Sequence, residues 1–187
     1  MNAKYDILIV GVGGQGTLLA SRVLGKYALD MGFDVKLSEV HGMAQRGGSV
    51  MTYVRIGKNI ASPIIDEGGA DLILSFEKLE ALRYRHYLKE GGHILYSTQE
   101  IMPMPVVTGA AEYPKGIEKE LPGTGVDALA LAIEAGNSKS ANSVMLGALC
   151  KKLGFDREKF EAALISCIPQ KTIDMNKKAF ALGYAAA

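Results

Sequence analysis

The amino-acid sequence predicts an α/β fold, in which a single doubly wound, Rossmann-like domain carries a helical C-terminal part. A short apolar strand at residues 5–10 stops at a glycine cluster and is followed by a helical pattern of apolar residues. Further segments of strand length follow as far as residue 97. Three helical segments separated by glycine turns fill much of the last third. This order is typical of one domain over residues 1–187, a length that can bury a substantial core.

Runs of apolar and β-branched residues place the predicted strands. They lie at residues 5–10, 34–40, 49–56, 71–75 and 93–97. The helix after the first strand stops at Gly32 and completes a βαβ unit, for which we expect a right-handed crossover and parallel strands. The third strand carries the polar residues Ser49, Thr52 and Arg55. We therefore expect it near an edge of the sheet.

Helical periodicity and turn residues place the remaining elements. Helices are predicted at residues 76–89, 127–135, 140–153 and 156–167, with a helix or a docking tail at 171–183. Ser140 and Asp156 are candidate N-caps. Residues 99–125 are rich in proline and glycine, which predicts an irregular connection with one short strand near Val106. This connection is the natural place for contact with a partner.

Charge and the N-terminal sequence exclude several classes of function. The formal net charge is +1, so the chain has no broad basic field for nucleic acid or for anionic membrane surfaces. The N-terminal apolar stretch is short and runs into glycines, unlike a signal peptide or a membrane span. We expect a cytoplasmic protein without nucleic-acid or membrane partners.

The two cysteines, Cys150 and Cys167, do not form a C-x-x-C pair of the kind that binds zinc or iron–sulfur clusters. Both follow apolar residues at helical spacing, which favours core packing over redox chemistry. We expect no metal site and no catalytic residue on this chain.

The first glycine loop, residues 11–16, reads GVGGQG and follows the first strand. Gly11, Gly13 and Gly16 form G-x-G-x-x-G, with Gly14 and Gln15 between them. Such a loop lets backbone amides approach a phosphate at a helix N-terminus. With Glu39 available for a ribose hydroxyl, the pattern is compatible with NAD or FAD. It is also compatible with glycines that serve only a tight turn.

The second glycine loop, residues 41–48, follows the second predicted strand. His41, Gln45, Arg46, Gly47 and Gly48 are candidate binding residues at the carboxyl end of the sheet, where α/β sheets hold ligands. The Arg46 guanidinium is suited to a phosphate or carboxylate. A lone histidine is more often structural than catalytic, so His41 is a binding candidate only.

Several motifs together resemble one family. The first loop, residues 39–50 (EVHGMAQRGGSV) and residues 105–114 (PVVTGAAEYP) look like the small subunit of indolepyruvate:ferredoxin oxidoreductase, within the gamma subunits of 2-oxoacid:ferredoxin oxidoreductases. Residues 135–149 and 170–184 are similar to that family as well. The resemblance covers nearly the whole chain, and the second loop is its most specific part.

The resemblance implies an enzyme that decarboxylates a 2-oxoacid with thiamine diphosphate, forms an acyl-coenzyme A and passes electrons through iron–sulfur clusters to ferredoxin. This chain lacks a cysteine set for a cluster, and we find no Gly-Asp-Gly motif with paired asparagines for thiamine diphosphate. Those cofactors are therefore expected on a large catalytic subunit. The chain would dock on that subunit and share coenzyme A with it, and it would be inactive alone.

Two other hypotheses stay open at this point. One is a free-standing NAD- or FAD-binding module that acts as a redox sensor or a simple oxidoreductase. The other is a structural subunit whose glycine-lined crevice no longer binds a ligand.

Overall fold

The strands form one six-stranded sheet in the structure, a computed structural model that describes residues 4–42 and 47–187. Their bounds are β1 (Tyr5–Val12), β2 (Asp34–His41), β3 (Ser49–Gly57), β4 (Ala70–Ser75), β5 (Leu88–Ser97) and β6 (Gly123–Val126). The α/β class predicted from the sequence is confirmed.

Eight helices connect or cover these strands in the described ranges. They are α1 (Thr17–Asp30), α2 (Lys78–Arg83), α3 (Met104–Val107), α4 (Ile117–Glu120), α5 (Ala128–Ala135), α6 (Ala141–Lys152), α7 (Arg157–Ser166) and α8 (Ile173–Ala185). Helix α1 ends as expected, because Gly32 adopts a φ of 76° and the Phe33 amide returns to the Ala28 carbonyl at 2.9 Å. The segment predicted as a helix or a docking tail is helix α8.

The strand order is β2-β3-β1-β4-β5-β6, and this corrects the expected position of β3. Strand β3 lies inside the sheet, antiparallel to β1 and to β2, whereas the sequence placed it near an edge. Strands β1 and β2 are therefore parallel, as predicted for the βαβ unit, and β3 lies between them. The edge strands are β2 and β6, and β1, β4, β5 and β6 form the parallel half.

One face of the sheet, here called the helical face, is covered by α1 and α5 to α8. Its core is continuous and includes strand residues Ile7, Ile9, Val54, Leu72 and Leu74. Four aromatic rings lie at its centre. The Phe160 ring is 5.0 Å from Tyr27 and 5.9 Å from Phe180 between centroids, and Tyr27 is 4.8 Å from Phe155. Apolar burial on this scale is the main stabilising contribution to a domain of this size.

The opposite face, here called the arm face, has a smaller core. Its buried residues include Leu8, Val10, Tyr53, Ile73 and Ile94 from the strands, with Ala81, Ile117 and Leu121 packed on them. The covering elements are α2 and a segment of residues 99–122, here called the arm, which contains α3 and α4. Residues 102–112 of the arm are exposed except at Pro103 and Val106.

Three local predictions are wrong. The helix expected at 76–89 ends at Arg83, because a 3-10 turn at Arg85–Tyr87 leads directly into β5. Val106 lies in the short helix α3, and the strand of that region is β6. Ser140 does not cap α6 with its side chain, whereas Asp156 caps α7 by accepting from the Lys159 amide at 3.1 Å. Among the described helices, none is long and apolar enough to cross a membrane.

Candidate functional site

The first glycine loop turns between β1 and α1 through two residues of positive φ. Gly14 has a φ of 101° and Gly16 a φ of 91°, a region that side-chain-bearing residues rarely adopt. A Cβ atom on Gly16 would lie 2.3 Å from Nδ2 of Asn142 in α6, whereas nothing lies within 4 Å of a Cβ on Gly14. A side chain at position 16 would therefore displace the Asn142 amide and strain the backbone, whereas Gly14 faces open space.

The Gln15 side chain is used within the protein. Its Oε1 accepts from the Val12 amide at 2.8 Å, and its Nε2 donates to the Phe76 carbonyl at 2.9 Å and to Gln99 Oε1 at 3.2 Å. These bonds fix the loop to the carboxyl ends of β4 and β5. The Gln15 amide group thus holds the loop in place, and Gln15 also lines a cavity, so its role as a ligand contact stays a prediction.

The two glycine loops are in direct contact. The Gly13 amide donates to the Gly48 carbonyl at 2.8 Å, which joins the start of α1 to the start of β3. Gly47 has a φ of 78°, so this end of the second loop also needs glycine. Gln45 and Arg46 lie outside the described residues. This hydrogen bond brings the two loops side by side, and that they share one ligand-binding crevice stays a prediction.

A cavity of about 320 Å³ lies on the β2 side of the first loop. It is lined by Gly13, Gly14, Gly16, Thr17, Leu18, Glu39, His41 and Val50. His41 is exposed at the end of β2, and its Nδ1 lies 3.2 Å from the Gly42 carbonyl. Glu39 accepts from Thr52 Oγ1 at 3.3 Å. The cavity thus gathers Gly13, Gly14, Gly16 and His41, which are half of the predicted binding residues that the structure describes.

A second cavity of about 370 Å³ lies on the other side of Gly14 and was missed by the sequence reasoning. Its lining is Gly14, Gln15, Phe76, Ser97, Gln99, Ala128, Leu129, Ser138, Lys139, Ala141, Asn142 and Met145. It lies at the carboxyl ends of β4 and β5, where α5 and α6 begin. One sequence feature could have predicted this cavity. Residues 137–143 are rich in serine and asparagine and lie at the start of an apolar helix.

This second cavity suits an anion with an apolar neighbour. Lys139 is its charged side chain, and in the described ranges it makes no ion pair. Its amide donates to Asn137 Oδ1 at 2.9 Å, and Asn142 Oδ1 accepts from the Ser143 amide at 2.8 Å, so the turn before α6 is ordered by its own side chains. Phe76, Leu129 and Met145 supply the apolar wall.

The side chains that the structure describes do not form a site for a metal or an iron–sulfur cluster. Within residues 4–42 and 47–187, no three His, Cys, Asp or Glu side chains come together as metal ligands. Cys150 is buried, and burial raises the pKa of its thiol to about 12, which disfavours the thiolate that binds metals. Cys167 is half-buried against the helical-face core. Core packing of both cysteines is confirmed.

Comparison with known proteins places this geometry in a family. The family model for pyruvate ferredoxin/flavodoxin oxidoreductase matches residues 6–186. The indolepyruvate oxidoreductase subunit IorB of Thermococcus kodakarensis is 45% identical over 98% of this chain and 96% of its own length. The subunit of the same name from Archaeoglobus fulgidus is 38% identical over 97% and 94%.

Solved structures agree with this match. The gamma subunit of a keto/oxoacid ferredoxin oxidoreductase from Geobacter sulfurreducens is similar with a TM-score of 0.75, 28% identity and coverage of 98% of both chains. A 2-oxoglutarate:ferredoxin oxidoreductase from Magnetococcus marinus, solved with 2-oxoglutarate, coenzyme A and succinyl-CoA, is similar in fold, with a TM-score of 0.77 and 19% identity. This chain corresponds to 31% of that longer chain.

The resemblance found in the sequence motifs is thus confirmed by relatives that match over nearly their whole lengths. The chain belongs to the pyruvate ferredoxin/flavodoxin oxidoreductase family, in which it is the small, gamma-type subunit of a 2-oxoacid ferredoxin oxidoreductase.

Proposed function

We propose that this chain docks on a large catalytic subunit, in the cytoplasm, and helps it bind coenzyme A while that subunit oxidises an aryl-pyruvate such as indolepyruvate. The substrate class rests on the names of the relatives that are 38–45% identical. Oxidoreductases of this family use thiamine diphosphate and iron–sulfur clusters. Because the donors on this chain do not fit a cluster, we assign these cofactors to the large subunit, which would pass electrons to ferredoxin.

The hydrogen bond between the Gly13 amide and the Gly48 carbonyl carries the proposal for coenzyme A. It brings two glycine loops together at the carboxyl end of the sheet, between two cavities that share Gly14. Open glycines and the N-terminus of α1 suit the phosphates of the coenzyme. Lys139 supplies a positive charge in one cavity, and the sequence places Arg46 in the loop beside the other. The Magnetococcus enzyme, which was solved with coenzyme A, contains the same fold.

A free-standing NAD- or FAD-binding module is not favoured. Glu39 does line a cavity with the first glycine loop, as a ribose contact would require. However, the relatives that match over nearly their whole lengths are named as oxidoreductase subunits. We expect NAD and NADP to bind no more tightly than about millimolar, since a micromolar constant corresponds to about −8 kcal/mol. Calorimetric titration of the isolated chain measures this directly.

Assembly is tested by co-expression with the large subunit. We expect the isolated chain to be colourless and inactive with 2-oxoacids, and the co-purified complex to reduce a dye with an aryl-pyruvate and coenzyme A. Turnover by the isolated chain would contradict the subunit role, and failure to co-purify would contradict docking.

The coenzyme A role is tested in the complex with Arg46→Ala and Lys139→Gln. A hydrogen bond to a charged group contributes about 1.5–3 kcal/mol, so each change should raise the KM for coenzyme A about ten- to a hundredfold. Lys171→Gln, at an exposed lysine outside both cavities, is the matched control and should leave the KM unchanged. If all three variants keep the wild-type KM, coenzyme A is bound elsewhere and the crevice is only a scaffold.

A further inference from the structure

Two buried carboxylates lie within one turn at the start of α2, outside both cavities. Glu77 is 1% exposed and Glu80 is 4% exposed. Burial of a carboxylate is costly unless hydrogen bonds or charges compensate for the lost water. Besides neighbours within α2, the groups that compensate these two carboxylates come from parts of the chain far apart in sequence.

Glu77 holds the arm. Its Oε2 accepts from the Glu80 amide at 2.8 Å and so caps α2. Its Oε1 accepts from the Ile101 amide at 3.0 Å and from the Tyr113 hydroxyl at 3.2 Å. Both ends of the exposed part of the arm, residues 102–112, are thus fastened to one carboxylate oxygen.

Glu80 holds the end of the second glycine loop. Its Oε2 accepts a hydrogen bond from Ser49 Oγ, and its Oε1 forms an ion pair with Arg83 Nε at 3.1 Å. Ser49 directly follows Gly48, whose carbonyl accepts from the Gly13 amide. A continuous chain of covalent and hydrogen bonds therefore runs from the first glycine loop to the arm.

The electrostatics of the turn agree with this geometry. Burial raises the pKa of Glu80, although the hydrogen bond from Ser49 and the charge of Arg83 lower it in part. Burial and the neighbouring Glu77 carboxylate together raise the pKa of Tyr113, so its hydroxyl remains a donor at neutral pH. Loss of the Ser49 contact to Glu80, or of the Tyr113 contact to Glu77, would leave a buried carboxylate with fewer hydrogen-bond partners. Each contact is therefore costly to remove.

We propose that Glu77 and Glu80 are positioning residues that couple the arm to the glycine loops. A partner that displaces the arm pulls on Glu77, and the short helix α2 transmits the change to Glu80 and Ser49. The part of this inference that concerns coenzyme A rests on the proposed function, whereas the coupling itself is a property of the isolated chain.

The coupling is tested by hydrogen exchange on the full chain. Glu77→Gln should raise exchange about two- to tenfold in the arm and also around residues 47–50, and Glu80→Gln should do the same from the other side. Glu90→Gln, at an exposed position of β5, is the matched control and should change neither region. If each variant loosens only the segment that its own side chain contacts, the inference is overturned.

If the buried glutamates prove essential for folding, substitutions of their hydroxyl partners test the same coupling. Ser49→Ala and Tyr113→Phe each remove one hydroxyl contact, to Glu80 and Glu77 respectively. Because hydrogen-bond networks give non-additive effects, the exchange rates of the double variant should differ about threefold or more from the product of the single effects. Additive effects would refute the coupling.

The assembled enzyme gives a separate readout. Ser49→Ala and Tyr113→Phe should each raise the KM for coenzyme A about three- to tenfold, with kcat within about twofold of the wild type. A coupling seen in hydrogen exchange with an unchanged KM would refute the coenzyme A role and leave the coupling intact. The reverse result, a raised KM without any coupling in exchange, would refute the coupling.

Discussion

The two faces of the sheet are held in different ways. The helical face has one continuous apolar core under five helices. The arm face has a smaller core, to which Glu77, Glu80 and several tyrosines add directional hydrogen bonds. Apolar packing is non-directional and is lost only when the whole face separates. Single hydrogen bonds can open one at a time, so we expect the arm face to be the more adjustable of the two if a partner docks.

The largest effect is expected from Phe160→Ala on the helical face. Phe160 is fully buried among Tyr27, Phe155 and Phe180, and its truncation leaves a cavity that this packed core cannot fill. We expect a loss of about 3–5 kcal/mol in the free energy of unfolding, measured by urea denaturation. Phe160→Leu should recover a large part of that loss. A loss under about 1 kcal/mol would show that the helical face is not the main stabilising layer.

The contact between α6 and α8 should be nearly as sensitive. A Cβ on Gly183 would lie 1.9 Å from the Val144 carbonyl oxygen, and one on Gly147 would lie 2.0 Å from that of Phe180. Gly183→Ala should therefore force the helices apart and cost about 1–3 kcal/mol or more. Gly42→Ala, where nothing lies within 4 Å, is the control and should cost under about 0.5 kcal/mol. Equal effects at the two positions would contradict the close approach.

On the arm face, the Asp6–Arg55 pair should give a pH-dependent effect. Burial raises the pKa of Asp6, but the hydrogen bonds and charges of Arg55 and Lys4 outweigh it and leave the pKa below its ordinary value. The stabilisation is therefore present above the unfolded pKa of about 3.9 and is lost as the pH falls through the lowered folded value. Arg55→Ala should cost about 1–3 kcal/mol at pH 7, and the difference should shrink below pH ~4. A cost that is independent of pH from 7 to 2.5 would exclude the ion pair as its cause.

The smallest effect on stability is expected in the arm itself. Met104 is 69% exposed, so Met104→Ser should change the free energy of unfolding by under about 0.5 kcal/mol. If the arm docks on the large subunit, the same change should weaken that association about tenfold, since burial of a methionine side chain contributes about 1.5–3 kcal/mol. Ile133→Ser, at a 60% exposed residue of α5 on the helical face, is the control. Equal weakening by both variants would contradict docking through the arm.

The parts of the fold that the sequence predicted are those with a strong local pattern. The helices α5, α6 and α7 were placed to within one residue, because apolar periodicity and glycine turns define them locally. Strand β6 was missed, because its sequence GTGV suggests a turn. A Cβ on Gly123 would lie 1.8 Å from the Ile94 carbonyl oxygen, so this glycine serves a close approach to β5 instead.

The position of β3 could not be predicted, because its polar residues indicated an edge strand. Ser49, Thr52 and Arg55 looked like residues of a half-exposed edge strand. Each has a carboxylate partner in the structure, namely Glu80, Glu39 and Asp6 respectively. Those partners lie 13 to 49 residues away in sequence, so no local pattern could reveal them.

The candidate site was predicted only where its residues are close together in sequence. The two glycine loops are contiguous motifs, and their contact follows from the direction of the strands. The cavity beside Lys139 is assembled from five separate segments, which only the folded structure brings together. The family was predicted mainly from the specific sequence of the second loop. The structure adds the hydrogen bond between that loop and the first.

The antiparallel placement of β3 has a consequence for how such subunits can diversify. Strands β2 and β3 pair up to the rung of His41 and Val50, so the segment between them leaves and re-enters the sheet at one point. Changes in the length or sequence of that segment need not shift any strand, and lengthening a surface connection is thermodynamically cheap. The strands can therefore keep their register while this segment differs, much as antibody domains keep a constant sandwich beneath variable loops.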